Sequence, residues 1–141
     1  WQPGIDLDAH LTGPVSADSS RFHVWWNEQS DVGNAASTAT FERDDTTGAG
    51  PETLTFTVQP TGAFRFSVQN YTDRDFAGGR TLLANTGATV RVYSGNQQIA
   101  VIPVAGGGGT LWKVFEINNG TFSVINTLTD EVDPSNIKTS Y

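Results

Sequence analysis

The chain has 141 residues, with 15 acidic against 8 basic side chains, a formal net charge of -7, and no cysteine or methionine. That length suits one domain with a single core, and an acidic balance excludes a nucleic-acid backbone as partner, since this needs clustered Lys and Arg. Without cysteine there are no disulfides, thiolate metal sites, iron–sulfur clusters or cysteine nucleophiles.

Taken in order, the chain alternates apolar and polar residues and shows almost no helical period. Nine segments read as strands: 5–12, 21–26, 38–43, 53–58, 63–71, 88–94, 97–104, 110–117 and 121–128. Leu54, Phe56 and Val58 alternate with threonines, Phe64, Phe66 and Val68 alternate with Arg65, Ser67 and Gln69, and Val90 and Val92 alternate with Thr89 and Arg91. Period two with Thr, Val and Phe marks strands with one face on a core. Breaks fall at Gly13-Pro14, Gly48 to Pro51, Pro60 to Gly62, Gly78-Gly79, Gly95-Asn96, Gly106 to Gly109 and Asn118 to Gly120. The expected fold is therefore all-β, an antiparallel β-sandwich (jelly-roll or Ig-like) of about nine strands over residues 1–128. Segments 27–37 and 72–85 read as surface loops, and 129–141 as an acidic C-terminal tail or linker. No apolar run reaches the roughly 20 residues that a membrane-spanning helix needs, so no membrane insertion is expected.

The first strand carries Ile5, Leu7, Ala9 and Leu11 on one face and Asp6, Asp8 and His10 on the other. Two like charges on one face of a strand repel, and Asp is a poor strand former, so the pair asks for a reason. A second acidic group, Glu42 to Glu52, has Asp44 and Asp45 where a strand gives way to a glycine-bearing turn. If that turn meets the first strand, Asp6, Asp8, Asp44 and Asp45 converge as an oxygen-only set, the donor chemistry of Ca²⁺. The competing reading has Asp44 and Asp45 opening a turn while Asp6 and Asp8 pair with Arg21 or Arg43. A catalytic carboxylate pair is disfavoured because no aromatic-lined cleft is visible around it.

His10 and His23 lie on consecutive strands, where such a pair more often hydrogen-bonds across the strands; with Asp8 they offer a zinc alternative. No Gly-x-Ser-x-Gly elbow is present, and the chain is read as no enzyme. In the second strand Phe22, Val24 and Trp26 form the expected core stripe, which leaves His23 and Trp25 outward as candidate ligand-binding residues. An exposed Trp25, with Tyr71 or Tyr93, could stack on a sugar ring. Asn70-Tyr71-Thr72 and Asn119-Gly120-Thr121 match the glycosylation acceptor pattern.

Two stretches, Asp6-Leu7-Asp8-Ala9-His10-Leu11-Thr12-Gly13-Pro14 and Asp44-Asp45-Thr46-Thr47-Gly48-Ala49-Gly50-Pro51-Glu52-Thr53, resemble the YfaP-type family of secreted or periplasmic domains. Phe64 to Tyr71, Ala88 to Tyr93 and Trp112 to Phe115 extend the resemblance over roughly residues 5–128. Ala49 departs from it, standing where relatives commonly carry an aromatic. The resemblance implies a β-sandwich accessory module of envelope or secreted proteins with no established reaction, and it adds weight to calcium. Lacking an initiator Met, the chain reads as processed or excised. The expectation is a non-enzymatic structural or adhesive module, extracellular or at the cell surface, with the periplasm as the other location. It would be calcium-stabilised, with copies of itself or other surface proteins as partners. The alternative is a carbohydrate-binding module with a glycan at Trp25.

Overall fold

The computed structural model describes residues 1–15, 20–30, 38–58, 61–75 and 82–140. Within them the chain forms β1 (Leu7–Pro14), β2 (Arg21–Val24), β3 (Ala39–Arg43), β4 (Thr53–Phe56) and β5 (Ala63–Asn70). After a single helical turn, α1 (Leu82–Asn85), come β6 (Thr89–Ser94), β7 (Gln97–Pro103), β8 (Leu111–Asn118) and β9 (Thr121–Thr129). Every strand pairing is antiparallel, and each segment read as a strand from alternation is one. The predicted break at Gly78-Gly79 lies outside the described residues, as do parts of the 27–37 and 72–85 loops.

Five strands form one sheet in the order β2-β1-β5-β8-β9, while β3-β4 and β6-β7 are separate two-stranded ribbons. Alternation on β1 sends Leu7, Ala9 and Leu11 to one face, where both ribbons settle. Ala39 and Phe41 of β3, with Leu54 and Phe56 of β4, pack against Ala9, Leu11, Phe22, Val24 and Phe64. Ile102 of β7, with Val90, Val92 and Ala100, packs against Leu7, Val68 and Trp112, and Leu83 of α1 joins the same cluster. The apolar face of the sheet is thus packed by two separate ribbons.

Two local devices let the large rings fit. At Gly13 a Cβ would lie 2.4 Å from the Phe22 ring and 2.9 Å from Phe64, so only a residue without one lets both phenylalanines cross β1 there. A register shift between Lys113 and Phe115 breaks strict alternation on β8, and Trp112, Val114 and Phe115 all reach the core. On β9, Asn126 sits at φ 50° beside that irregularity and its Oδ1 accepts from Trp112 Nε1 at 2.8 Å, which satisfies the buried indole.

The opposite face of the sheet is polar and nevertheless buried: Asp8, His10, Thr12, His23, Ser67 and Gln69 are all closed off from solvent. The segment read as an acidic tail runs back over this face. Thr110 and Glu131 exchange hydrogen bonds, Thr110 Oγ1 to Glu131 O at 2.8 Å and Glu131 N to Thr110 Oγ1 at 3.0 Å, and Gln69 Nε2 donates to the same carbonyl at 2.8 Å. A 3-10 helix over Pro134–Thr139 follows, capped by Asp133 accepting from Ser135 N, and it lies against β1 and β2. Its one buried residue is Ile137, at 0% exposure. A single apolar anchor among acidic and polar residues leaves no periodic signal, which is why composition alone reads the segment as a tail.

Ile137→Ala removes a fully buried side chain and should destabilise the domain by about 2–4 kcal/mol. Urea denaturation checks this; a cost under roughly 0.5 kcal/mol, typical of surface substitutions, would mean that the C-terminal segment is not part of the folded unit.

Candidate metal centre

The turn between β3 and β4 meets the N-terminal segment. Gly48 sits at φ +72°, and a Cβ there would lie 2.7 Å from Ile5 N and 2.8 Å from Ile5 O, so the turn packs backbone to backbone just before β1. Trp1 holds the same junction: its Nε1 donates to Ile5 O at 2.8 Å, and its ring lies over Gly50. On the other side, Tyr71 N donates to Asp6 O at 3.0 Å and Asp6 N to Thr72 Oγ1 at 2.8 Å. Asp6 is therefore fixed through its backbone by the chain leaving β5.

Glu52 closes the arrangement. Its Oε2 accepts from Ala9 N at 2.7 Å, clamping the start of β4 onto β1. One carboxylate oxygen from each of Asp6, Asp8 and Glu52 lies within 4.8 Å of the others. Two oxygens bound to one Ca²⁺ at about 2.4 Å can be at most about 4.8 Å apart, so each pair of the three falls within the span of one ion. Asp6, Asp8 and Asp44 line one pocket together with Thr46, Trp26 and Tyr71. Asp6 Oδ1, Asp8 Oδ2 and Asp44 Oδ1 are all buried and have no hydrogen-bond partner among the described residues.

Of the four sequence-predicted ligands, the fold brings three to this pocket and turns Asp45 aside. Asp45 Oδ1 accepts from Thr47 N at 2.9 Å and from the Thr47 hydroxyl, and Oδ2 faces Arg43 Nη2 at 3.4 Å. The Thr47 hydrogen bonds hold its carboxyl below the usual range. Adjacent side chains diverge, so Asp44 faces the pocket while Asp45 shapes the turn. Glu52, which is not one of the four, lies with Asp6 and Asp8 instead. It stands in the same acidic stretch, but only the closure of the turn onto Ala9 shows that it points inward. The arginine alternative is not what positions the pair: Arg43 is on Asp45, and Arg21 donates to Thr12 Oγ1 at 2.9 Å and Ala63 O at 2.7 Å.

The electrostatics are those of crowded acids that Arg74 offsets only in part. Burial pushes Asp8 up to about 7, with repulsion from Asp6 and Asp44 adding to it and Arg74 pulling the other way. Burial pushes Glu52 up to about 9, helped by Asp8 and Asp44 and opposed by the hydrogen bond from Ala9. Asp6 is raised by burial and then by Asp44 and Asp45. Burial and the neighbouring acids disfavour the ionised form, and a dication among the oxygens would reverse their effect.

Comparison with family models, with curated proteins and with solved structures finds no match to this chain.

The second strand departs from the expected alternation. β2 ends at Val24, and Trp25 and Glu28 exchange backbone hydrogen bonds of 3.0 Å each way, closing a tight turn at Trp26-Asn27. Phe22 and Val24 enter the core as expected, but the turn carries Trp26 out of the stripe and onto the carboxylate pocket. Trp25 is only partly exposed, with its ring stacked on His23 (centroids 5.1 Å, 5° between planes) and near His10 (5.8 Å). His23 is not an outward ligand either: it is buried, and its Nε2 lies 2.8 Å from His10 Nδ1. That separation is a hydrogen bond in which one ring nitrogen donates and the other accepts, and it is too short for two donors facing each other.

Burial, with Lys138 behind it, lowers His23 to about 4, and burial with His23 holds His10 well below its ordinary value. For a histidine depressed on folding, the unfolded chain takes up the proton first. Stability tied to His23 is thus complete above about pH 6.5 and falls as pH drops toward about 4, at up to about 1.4 kcal/mol per pH unit. His23→Gln keeps a hydrogen-bonding side chain but does not titrate. Its denaturation midpoint should fall less steeply than the wild type's between pH 6.5 and 4; parallel curves would show that His23 is not held neutral.

Proposed function

We propose that this chain is a non-enzymatic, extracellular structural or adhesive β-module that calcium staples together, working as a subunit of a surface assembly. The observation that carries the reading is the set of three buried carboxylate oxygens, from Asp6, Asp8 and Asp44, that have no partner among the described residues, with a Glu52 oxygen within 4.8 Å of oxygens on Asp6 and Asp8. Buried acceptors left unmet cost about 1–3 kcal/mol each, more when charged, so the fold makes sense with a cation among them. The donors are all oxygens, which suits a hard cation over zinc or copper. Glycine-bearing turns, backbone carbonyls and water complete a shell of six to eight ligands more readily than a rigid octahedron, which favours Ca²⁺ over Mg²⁺.

Asp6 and Asp8 would hold the ion from β1, Glu52 from the start of β4, and Asp44 from the turn between the ribbon's strands. The bound ion supplies only charge and coordination, and the consequence is mechanical. It ties the core sheet to the β3-β4 ribbon at the place where a secreted domain without cysteine has no covalent staple. An extracellular location fits this reading because calcium is plentiful there. The surface-assembly role rests on the same stiffening and on the open edges of two-stranded ribbons, which leave backbone groups for a second copy.

Calcium at about a hundred times its Kd should stabilise the domain by about 2.7 kcal/mol, raising Tm on the order of 5–10 °C over the EDTA-treated protein. Magnesium at the same concentration should do less. Asp8→Asn should abolish the calcium response while leaving the EDTA-treated Tm equal to or above the wild type's, because a buried like charge is gone. A wild-type Tm indifferent to both calcium and EDTA would contradict the reading.

A further inference from the structure

Among the four tryptophans, Trp1 and Trp112 have their indole N–H groups met: Trp1 donates to Ile5 O and Trp112 to Asn126 Oδ1, each at 2.8 Å. Trp26 does not. Its Nε1 is buried, has no partner among the described residues, and belongs to a side chain lining the pocket where three carboxylate oxygens are likewise unmet. A buried donor beside unmet acceptors is an unfinished hydrogen bond, and the acid that matters most, Asp8, is only 2% exposed.

The ring is not free to look elsewhere. The Trp25–Glu28 turn fixes its backbone, Trp25 meets it edge-on at 5.0 Å and 65°, and Tyr71 does so at 5.8 Å and 82°. Tyr71 is pinned in turn by the Arg74 guanidinium, 3.7 Å from the ring centroid, while Arg74 Nη1 donates to Tyr71 O at 2.6 Å. The indole is thus held rigidly at the pocket wall.

Resting on the calcium reading above, we infer that Trp26 is a positioning residue of the cation site, its indole N–H donating to an outer oxygen of the ion's shell. Carboxylates that bind a metal through one oxygen commonly receive a hydrogen bond on the other, and such partners orient the ligand and tune affinity by about 10–100-fold. The indole's hydrocarbon body also excludes water from one side, which strengthens the attraction between the ion and its acids. The role belongs to Trp26 and not to its neighbour, because Trp25 faces the histidine stack.

The test is calcium titration by calorimetry on wild type, Trp26→Phe, Trp25→Phe and Asp8→Asn, with the ¹⁵N-labelled indole resonances followed in parallel. Phe keeps a packed ring and removes only the donor. Trp26→Phe should weaken calcium binding about 10-fold or more without changing the stoichiometry, while Trp25→Phe stays within about twofold of wild type. The Trp26 indole proton, assigned by its loss in Trp26→Phe, should move downfield on loading, a signature that loss of packing would not produce. Calcium binding in Trp26→Phe equal to wild type, or an indole resonance that ignores calcium, overturns the role of Trp26 alone. No calcium binding by wild type would overturn the cation reading and this inference with it.

Discussion

The rest of the structure turns on one unfavourable contact: carboxylates from three parts of the chain pressed together in a half-buried junction. Asp6 and Asp8 come from the entry to β1, Asp44 from the turn after β3, and Glu52 from the start of β4. Chain elements that repel at their closest approach need something else to hold them. Here it is Gly48 against Ile5, Trp1 over Gly50, and Ala9 N donating to Glu52. The backbone builds the junction and the side chains load it with charge. Under the proposed calcium reading, this repulsion is what the ion would relieve.

The same face of the sheet carries the molecule's other unusual investment. A sheet face lined by His10, Thr12, His23, Ser67 and Gln69 would ordinarily be in water, yet the C-terminal segment covers it through Glu131 and Ile137. From the carboxylate pocket to that strap there is a continuous run of rings: Tyr71, Trp26, Trp25, His23 and His10. One end of the run borders the acids and the other lies beneath the C-terminal segment. The polar face is therefore a second interior, satisfied by hydrogen bonds and stacking where the first is satisfied by apolar contact.

The strands were legible because burial on one face imposes a period of two, and Leu54-Thr55-Phe56 or Phe64-Arg65-Phe66 state that period directly. The layering was less so. Nothing in alternation says whether β3-β4 and β6-β7 join into one sheet or stay as two ribbons. In the site, Asp6 and Asp8 were legible as charges misplaced on a strand, and Asp44 as their partner across a turn. Asp45 carries the same chemistry at the adjacent position, and only the Thr47 hydrogen bonds reveal that it serves the turn instead. Glu52 was hidden for the opposite reason, since its direction is set by contact with Ala9, 43 residues earlier. Alternation places Trp26 in the core only if the strand continues past Val24, where the Trp25–Glu28 turn ends it.

A crystal structure of the wild-type chain grown at millimolar calcium tests the central claim most directly, using the anomalous signal of the ion. The account predicts one ion bounded by Asp6, Asp8 and Glu52, with Asp44 on its shell. A pocket holding only water under those conditions, or an ion bound elsewhere with these acids paired to one another through shared protons, would contradict it.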